Sequence, residues 1–165
     1  MKKIRKILVT AGPTREYIDP VRYISNDSSG MMGFAIASAA ARLGLYATLV
    51  AGPVQLETPE DVRRIDVVSA EEMLKATLAR AKNSDLIVMC AAVSDFSPEK
   101  ILKKKIKKED IGSSKITLKL KRNPDILAEL CKNKKSDQVV VGFALETENM
   151  EKNAISKLRR KGCDW

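Results

Sequence analysis

A run of serine, asparagine and glycine residues is the first part of the sequence that could do chemistry. Residues 25–33 read Ser-Asn-Asp-Ser-Ser-Gly-Met-Met-Gly and lead into an alanine-rich stretch with helical character. The free N–H groups at the start of a helix bind anions, and glycines let an anion approach the backbone closely. This pattern predicts an anion pocket at Ser28 and Gly30, with the Asn26 amide placed to donate to an oxyanion or carboxylate. An ordinary helix cap followed by a packing glycine is the alternative.

Basic residues are concentrated in one segment of the chain. Residues 100–122 contain ten of the 30 Lys and Arg residues but only two of the 21 Asp and Glu residues, so this segment carries +8 of the net charge of +9. The segment contains no aromatic residue, which argues against nucleic-acid binding, because bases stack on aromatic rings. We interpret residues 99–115 as a lysine flap over a polyphosphate. A solvated, mobile loop is the alternative.

Two further groups of side chains are candidates for binding a ligand. The small residues Ala91 and Ala92 follow an apolar run and leave room for a ligand, and Asp95 could accept from a ligand hydroxyl or hold a cation. Lys157 and Lys161 are spaced four residues apart, so they share one face of a helix. The alternatives are a turn cap for the aspartate and a solvated helix face for the lysines.

The composition excludes several kinds of site. The chain has no histidine, which rules out Ser-His-Asp and Cys-His catalysis, histidine-ligated metals and a histidine pH switch. Its cysteines, at positions 90, 131 and 163, form no C-x-x-C pair, and a structural zinc site needs about four ligands. The first loop also lacks G-x-G-x-x-G, which argues against an ordinary NAD site.

The cellular setting follows from the same residues. Scattered thiols are typical of a reducing compartment, and the apolar run at residues 7–9 is too short for a signal peptide or a membrane span. We therefore expect a cytoplasmic protein that contacts neither membrane nor nucleic acid. The 165 residues also predict one domain, covering residues 1–165, because domains average roughly 150 residues.

Alternating strands and helices must position these residues. The apolar patterns predict strands over residues 4–10, 45–50, 65–68, 85–91 and 138–144, and helices over 30–43, 70–82, 124–132 and 149–161. We expect a long loop over 11–29 and a half-exposed strand over 115–120. The order predicts an α/β fold, a Rossmann-like open, mostly parallel sheet with helices on both faces and the basic flap as an insert. Ligands bind such sheets at the carboxyl ends of the strands, where the candidate loops begin.

Helix ends are marked by short polar signals. Ser69 with Glu72 predicts a capping box, and Gly44 predicts a left-handed helix end. Asn123 followed by Pro124 predicts a helix cap with proline at the first helical position.

The loops together resemble one enzyme family. The string VTAGPTRE at residues 9–16 and DPVRYISNDSSG at residues 19–30 form a long and specific motif, and the resemblance continues through AAVSD at 91–95, KIKK at 105–108, KRNPDIL at 121–127 and VGFALET at 141–147. It covers essentially the whole chain in order. The sequence resembles phosphopantothenoylcysteine synthetase, often the C-terminal half of the bifunctional CoaBC (Dfp) protein of coenzyme A biosynthesis.

The resemblance implies a ligase that joins 4′-phosphopantothenate to L-cysteine. In this family the carboxylate attacks the α-phosphorus of CTP, or of ATP in most eukaryotic members, with Mg²⁺ present, and forms an acyl-nucleotidylate and pyrophosphate. The cysteine amine then releases the nucleoside monophosphate. The alternative is a truncated domain of the same family that binds nucleotide without turnover. A nucleic-acid-binding protein, suggested by the charge, is a third and weaker alternative.

The family also suggests what this chain lacks. Family members continue past the position of Trp165 into another strand, so we expect the C-terminus to be truncated. The chain begins just before its first strand, so we expect no flavin domain and no bound flavin.

The resemblance assigns site residues. The pocket for the substrate phosphate would comprise Gly12, Ser28, Gly30, Gly33 and Phe143. The catalytic residues would be Asn26, which binds the carboxylate and the intermediate, and Lys105, for which Lys100 is a competitor. Three residues would reach the substrate from a neighbouring subunit and imply a homodimer: Ala91, Ala92 and Asp95. The nucleotide would be surrounded by Asp95, Lys105, Asn123, Pro124, Asp125, Ile126, Phe143, Lys157 and Lys161. No residue is assigned as a metal ligand.

Overall fold

Nine strands and four helices make up the structure of this chain, a computed structural model that describes residues 3–107, 109, 115–144 and 148–165. The strands are β1 (Lys6–Ala11), β2 (Arg15–Asp19), β3 (Arg22–Ser25), β4 (Tyr46–Ala51), β5 (Val62–Asp66), β6 (Leu86–Met89), β7 (Phe96–Pro98), β8 (Leu120–Arg122) and β9 (Val139–Gly142). The helices are α1 (Met31–Arg42), α2 (Ala70–Ala81), α3 (Ile126–Asn133) and α4 (Met150–Lys161). Parts of the predicted flap and of two family motifs, at residues 108, 110–114 and 145–147, lie outside the described residues.

Five strands form the central sheet, in the order β5-β4-β1-β6-β9. Every neighbouring pair in this sheet is parallel. Four of these strands consist mainly of Val, Ile, Leu and Ala, as is usual in parallel sheets whose two faces are covered. The edge strand β5 differs, because it contains Arg63 and Arg64. The prediction of a Rossmann-like α/β fold is confirmed.

Alternate residues of the strands pack into two separate hydrophobic cores, one on each face of the sheet. On one face Phe34 of α1 packs in a cluster with Leu49 of the sheet, and on the other face Met73 of α2 and Leu130 of α3 pack in a cluster with Ile87. Each of these five residues is at most 5% exposed. Helices therefore cover both faces, as predicted, and the carboxyl edge of the sheet stays available for the loops.

Two of the predicted helix ends are confirmed and one is wrong. Ser69 Oγ accepts the Glu72 N–H at 3.2 Å, and Gly44 adopts a left-handed φ of 77°. Helix α3, however, is capped by Asp125, whose carboxylate accepts the Ala128 N–H at 3.0 Å. Asn123 is not the cap, because its side chain donates instead to the Ser94 carbonyl at 2.8 Å.

The predicted loop over residues 11–29 contains an antiparallel hairpin, β2–β3, which the sequence analysis missed. The rings of Tyr17 and Tyr23 meet edge to face across it, with centroids 5.6 Å apart. Its strands have only five and four residues, so any alternation of apolar and polar side chains was too short to predict strands. The surrounding Pro, Asp and Ser residues instead indicated a loop.

A second small hairpin forms the base of the basic segment. Strand β7 pairs with β8, and the Glu99 N–H donates to the Lys119 carbonyl at 3.0 Å. The predicted strand over 115–120 is wrong, because regular pairing begins only at Leu120. Ile116 and Leu118 are 54% and 39% exposed, so the alternating apolar residues that suggested a strand are not buried in this chain.

Among the described residues, every helix is too short or too polar to cross a lipid bilayer.

Candidate active site

Three glycines bring the start of α1 onto the end of β1. Gly12 and Gly30 both have left-handed φ values, of 75° and 76°, and a Cβ on Gly30 would lie 3.3 Å from the backbone of Gly12. A Cβ on Gly33 would lie 2.5 Å from the Cβ of Ala11, closer than carbon atoms can pack. The helix can therefore begin directly against the strand end only because these side chains are absent.

This helix start has the features of an anion site. Gly30 is the cap of α1 and provides no side-chain hydrogen bond, and Ser28 is half-buried just before it. The first N–H groups of a helix have no acceptor within the helix, and its dipole favours negative charge there. Gly12, Ser28, Gly30 and Gly33 thus lie together at this helix start, and we call them the glycine cradle. Binding of an anion there stays a prediction.

Gly52, directly after β4, belongs to the same edge of the sheet and was not among the predicted site residues. A Cβ on Gly52 would overlap the carbonyl oxygen of Pro13, at 1.7 Å. The Gly52 N–H also donates to the Ala11 carbonyl at 2.9 Å. The sequence Gly52-Pro53 indicates a turn after β4, but only the fold shows that this turn touches the loop after β1.

Asn26 joins the cradle to the loop that follows β6. Its amide donates to the carbonyl oxygens of Ala92 and Val93, both at 3.1 Å and within the same chain. Both donors of the amide are thus engaged by the backbone. For Asn26 to donate to a substrate carboxylate, as predicted, the amide must release one of these carbonyls.

The loop after β6 is tied along the loop after β1. The Ala92 N–H donates to the Gly12 carbonyl at 2.9 Å, and the Thr14 N–H donates to the Ala92 carbonyl at 3.3 Å. Thr14 Oγ1 accepts the Ser94 N–H at 3.0 Å. Ala91 and Ala92 are therefore held beside the glycine cradle of their own chain, so this proximity does not depend on a second subunit.

Most residues predicted to surround the nucleotide line one cavity of about 420 Å³. These are Asp95, Asn123, Pro124, Asp125, Ile126, Phe143 and Lys161, and Ala91 lies in the same lining. Arg122 also lines this cavity and adds a cation that the sequence analysis counted only as part of the basic segment. The cavity opens at the carboxyl edge of the sheet, and the binding roles of these residues remain predictions.

An ion pair holds Lys161 at this cavity. Its ammonium lies 3.0 Å from Asp125 Oδ2, while the other oxygen of Asp125 caps α3. Burial raises the pKa of Asp125, but the Ala128 N–H and the Lys161 ammonium outweigh this effect and hold the pKa below its ordinary value. The pair links the end of α4 to the start of α3.

The predicted lysines are not all in one place. Lys157 lines an adjoining cavity of about 440 Å³, which shares Phe143 and Lys161 with the first. Lys105 and its competitor Lys100 are both exposed on the basic segment and belong to neither lining. The structure therefore does not choose between these two residues by contact with the cavity.

The thiol next to the site is held in its protonated form at neutral pH. Cys90 is half-buried directly before Ala91, and burial raises its pKa to about 11. Within the part of the chain that the structure describes, no three His, Cys, Asp or Glu side chains group as metal ligands. The site offers charge and backbone donors.

Comparison with known proteins agrees with this geometry. The family model described as DNA/pantothenate metabolism flavoprotein C-terminal domain matches residues 2–165. The coenzyme A biosynthesis bifunctional protein CoaBC of Vibrio vulnificus strain YJ016 is 49% identical over 160 residues, which is 97% of this chain and 40% of that protein. CoaBC of Escherichia coli strain K12 is 50% identical over 158 residues, 96% of this chain and 39% of that protein.

A solved structure extends the similarity to the fold. The crystal structure of the C-terminal domain of CoaBC superposes with a TM-score of 0.84 at 41% identity, covering 97% of this chain and 74% of that one. The chain spans about 40% of the length of the bifunctional relatives it matches. It belongs to the family of DNA/pantothenate metabolism flavoprotein C-terminal domains, the CoaB-type phosphopantothenoylcysteine synthetases that its loop motifs resemble.

Proposed function

We propose that the chain is a ligase that joins 4′-phosphopantothenate to L-cysteine through an acyl-nucleotidylate, converting CTP to CMP and pyrophosphate. Its relatives are coenzyme A biosynthesis proteins, which supports the pathway. The single observation that carries the proposal is the contact between Asn26 and the 92–93 backbone. It supports the proposal because it joins the glycine cradle to the loop that leads into the cavity in which we propose that the nucleotide binds.

The proposed roles follow from this arrangement. The glycine cradle binds the phosphate of phosphopantothenate, and the carboxylate at the other end of that substrate reaches the loop beside Asn26. The nucleotide occupies the cavity of Asp95, Asn123 and Phe143, where Lys161 and Arg122 offset the triphosphate charge. Nucleotidyl transfer depends on positioning and charge stabilisation more than on a strong base, so a site without histidine is sufficient.

The chemistry of the donor set also fits Mg²⁺. Magnesium keeps several water ligands and is usually bound through one or two carboxylates together with substrate phosphates. Asp95 is an exposed carboxylate in the lining of the nucleotide cavity and is the residue we assign to it. When bound with the triphosphate, the ion would neutralise charge on the phosphate oxygens.

We further propose that the chain works as a homodimer. Apolar side chains are exposed on both small hairpins: Val21 and Tyr23 at 58% and 43%, and Phe96 and Leu120 at 45% and 43%. These hairpins are not part of the central sheet. Their exposed apolar side chains could therefore pack against a second copy of the chain. Sedimentation equilibrium should give twice the monomer mass of 18.2 kDa. A monomer at all concentrations would contradict this part of the proposal.

The ligase is tested by pyrophosphate release with CTP or ATP, in the presence and absence of 4′-phosphopantothenate. We expect release that requires phosphopantothenate and is faster with CTP. Asn26→Ala should lower the rate by roughly 10²-fold, because it removes the donor at the position of the reacting carboxylate. Asn133→Ala is the matched control, since that amide also donates to a backbone carbonyl, Glu129, but on α3.

One outcome would contradict the role of Asn26, and another would contradict the ligase. Turnover of Asn26→Ala at the rate of the parent would remove Asn26 from the mechanism. Binding of CTP in a calorimeter without any pyrophosphate release would favour the alternative of a nucleotide-binding domain without activity.

A further inference from the structure

We propose that Asp19 and Arg22 are positioning residues that grip the backbone of the basic segment at Ile106 and so set the location of Lys105. The inference rests on the proposed ligase function, in which Lys105 acts on the nucleotide. It concerns residues of the β2–β3 hairpin to which neither the sequence motifs nor the cavity lining assign a role.

The grip acts on both sides of one residue. The Asp19 side chain is fully buried, and its Oδ2 accepts the Ile106 N–H at 3.1 Å. Arg22 Nη1 donates to the same oxygen at 2.6 Å, and Nη2 donates to the Ile106 carbonyl at 3.0 Å. The aspartate and the arginine thus hold each other and hold the N–H and the C=O of Ile106.

A second attachment lies four residues earlier. The Leu102 N–H donates to the Ile18 carbonyl at 2.9 Å, directly before Asp19 in β2. Residues 103–105 are therefore bounded at both ends by hydrogen bonds to the same hairpin. A lysine run without such contacts would sample many conformations, so a ligand that binds it would have to order each residue at a cost in conformational entropy. The two attachments restrict Lys105 before any ligand arrives.

The charge state of the grip suits this role. Burial raises the pKa of Asp19, but the N–H groups of Val21 and Ile106 and the Arg22 guanidinium outweigh it and hold the pKa below its ordinary value. The carboxylate is therefore ionised throughout the neutral range. The Arg22 side chain is 44% exposed, so its replacement removes little packed surface, although the Asp19 carboxylate then loses its cation and keeps the N–H groups of Val21 and Ile106 as partners.

The test is a double-mutant cycle on pyrophosphate release, with kcat and KM for CTP measured separately. Arg22→Ala should lower kcat/KM by roughly 10-fold to 100-fold, because a displaced catalytic group loses that much. In the double variant with Lys105→Ala, the loss should equal that of Lys105→Ala alone, because Arg22 acts through Lys105. Arg42→Ala, at the far end of α1, is the matched control and should keep the parental rate.

Hydrogen exchange gives a readout that needs no activity. In Arg22→Ala and in Asp19→Asn, the amides of Leu102 and Ile106 should exchange at least about tenfold faster than in the parent, while those of β1 keep their protection. If circular dichroism shows that Asp19→Asn does not fold, hydrogen exchange in the Arg22→Ala variant still tests the proposal, because the Arg22 side chain is partly exposed.

The outcomes separate the two proposals. Losses that multiply in the double variant, or unchanged exchange at Ile106, would overturn the positioning role. If the parent releases no pyrophosphate but the variants still free the Ile106 amide, the ligase proposal fails and the grip stands.

Discussion

At the scale of single residues, the site is defined as much by missing side chains as by present ones. Gly33 faces the Cβ of Ala11 and the Thr10 carbonyl, and Gly52 faces the Pro13 carbonyl, so two loops and a helix start can meet without space between them. Close approach of backbone to backbone is what lets several N–H groups point at one anion. The glycines therefore set the backbone geometry of the proposed anion site.

The Gly33→Ala substitution tests this packing. The new Cβ would lie 2.5 Å from the Ala11 Cβ and 3.0 Å from the Thr10 oxygen, so α1 must shift. We expect a loss of about 1–3 kcal/mol in the free energy of unfolding, as for other overpacked sites, together with weaker phosphopantothenate binding. Urea denaturation and calorimetry measure the two effects.

Gly44→Ala is the control for this experiment. A Cβ there meets nothing within 4 Å, although the φ of +77° is left-handed, so only backbone strain of about 1–2 kcal/mol is expected. Its substrate affinity should equal that of the parent. Unchanged phosphopantothenate binding in Gly33→Ala would argue against the cradle.

At the scale of elements, the β2–β3 hairpin organises the site. Its residues reach three separate parts of the molecule: Glu16 accepts the Ala70 N–H at the start of α2, Asp19 accepts the Ile106 N–H, and Ser25 donates to the Thr14 carbonyl. The hairpin thus connects a helix, the basic segment and the loop after β1. Removing one of these contacts should therefore destabilise the segment that it joins to the hairpin as well as the hairpin.

Glu16→Ala is the test at this scale. The buried Glu16 carboxylate lies 2.8 Å from the Ala70 nitrogen, where the dipole of α2 favours negative charge. Removing it leaves a buried N–H without its acceptor, which costs about 1–3 kcal/mol of stability. Thermal unfolding measures the loss. Glu16→Gln keeps an acceptor and should recover most of it, and equal losses in both variants would show that the hydrogen bond is not the cause.

At the scale of the whole molecule, the positive charge of the chain is localised, and three aspartates are held by both backbone N–H groups and cations. Asp19, Asp125 and Asp164 each accept backbone N–H groups and pair with a cation. For each, burial raises the pKa, but the hydrogen bonds and the cation outweigh it, so the pKa lies below the ordinary value of 3.8. No histidine adds a titration near neutrality.

The pH dependence of stability follows from these directions. A carboxyl group with a lowered pKa in the folded state stabilises the protein above the pKa of the unfolded chain, and this contribution is lost as the pH falls through the folded value. We expect the thermal midpoint to be level between about pH 5 and pH 8 and to fall below about pH 4. Asp164→Asn should flatten the acid decline, and a midpoint that changes across the neutral range would contradict the assignment.

Much of the fold was predictable from local pattern. The apolar runs predicted the four helices and the five strands of the sheet, and Ser69 and Gly44 marked helix ends correctly. The bounds of one strand were wrong: β5 begins at Val62, three residues before the predicted start, because Arg63 and Arg64 interrupt its apolar pattern. These features depend on neighbours a few residues away, so their signal is contained in short stretches of sequence. The order of strands and helices then restricted the chain to a parallel sheet with its loops at one edge.

Other features depended on partners distant in the chain. The β2–β3 hairpin, the role of Asn123 as a link to Ser94 rather than a cap, and the exposure of residues 115–119 have no local signature. Each of these features depends on contacts with residues of another loop or strand.

The order of residue types along the chain was enough to predict what stands at the ends of the parallel strands, and its motifs were enough to predict the family. The contacts of Asn26 with the Ala92 and Val93 carbonyls, and of Asp19 and Arg22 with Ile106, were visible only in the folded chain. These contacts join residues 66 to 87 positions apart. Packing of separate elements, which short-range propensity does not encode, brings such residues together.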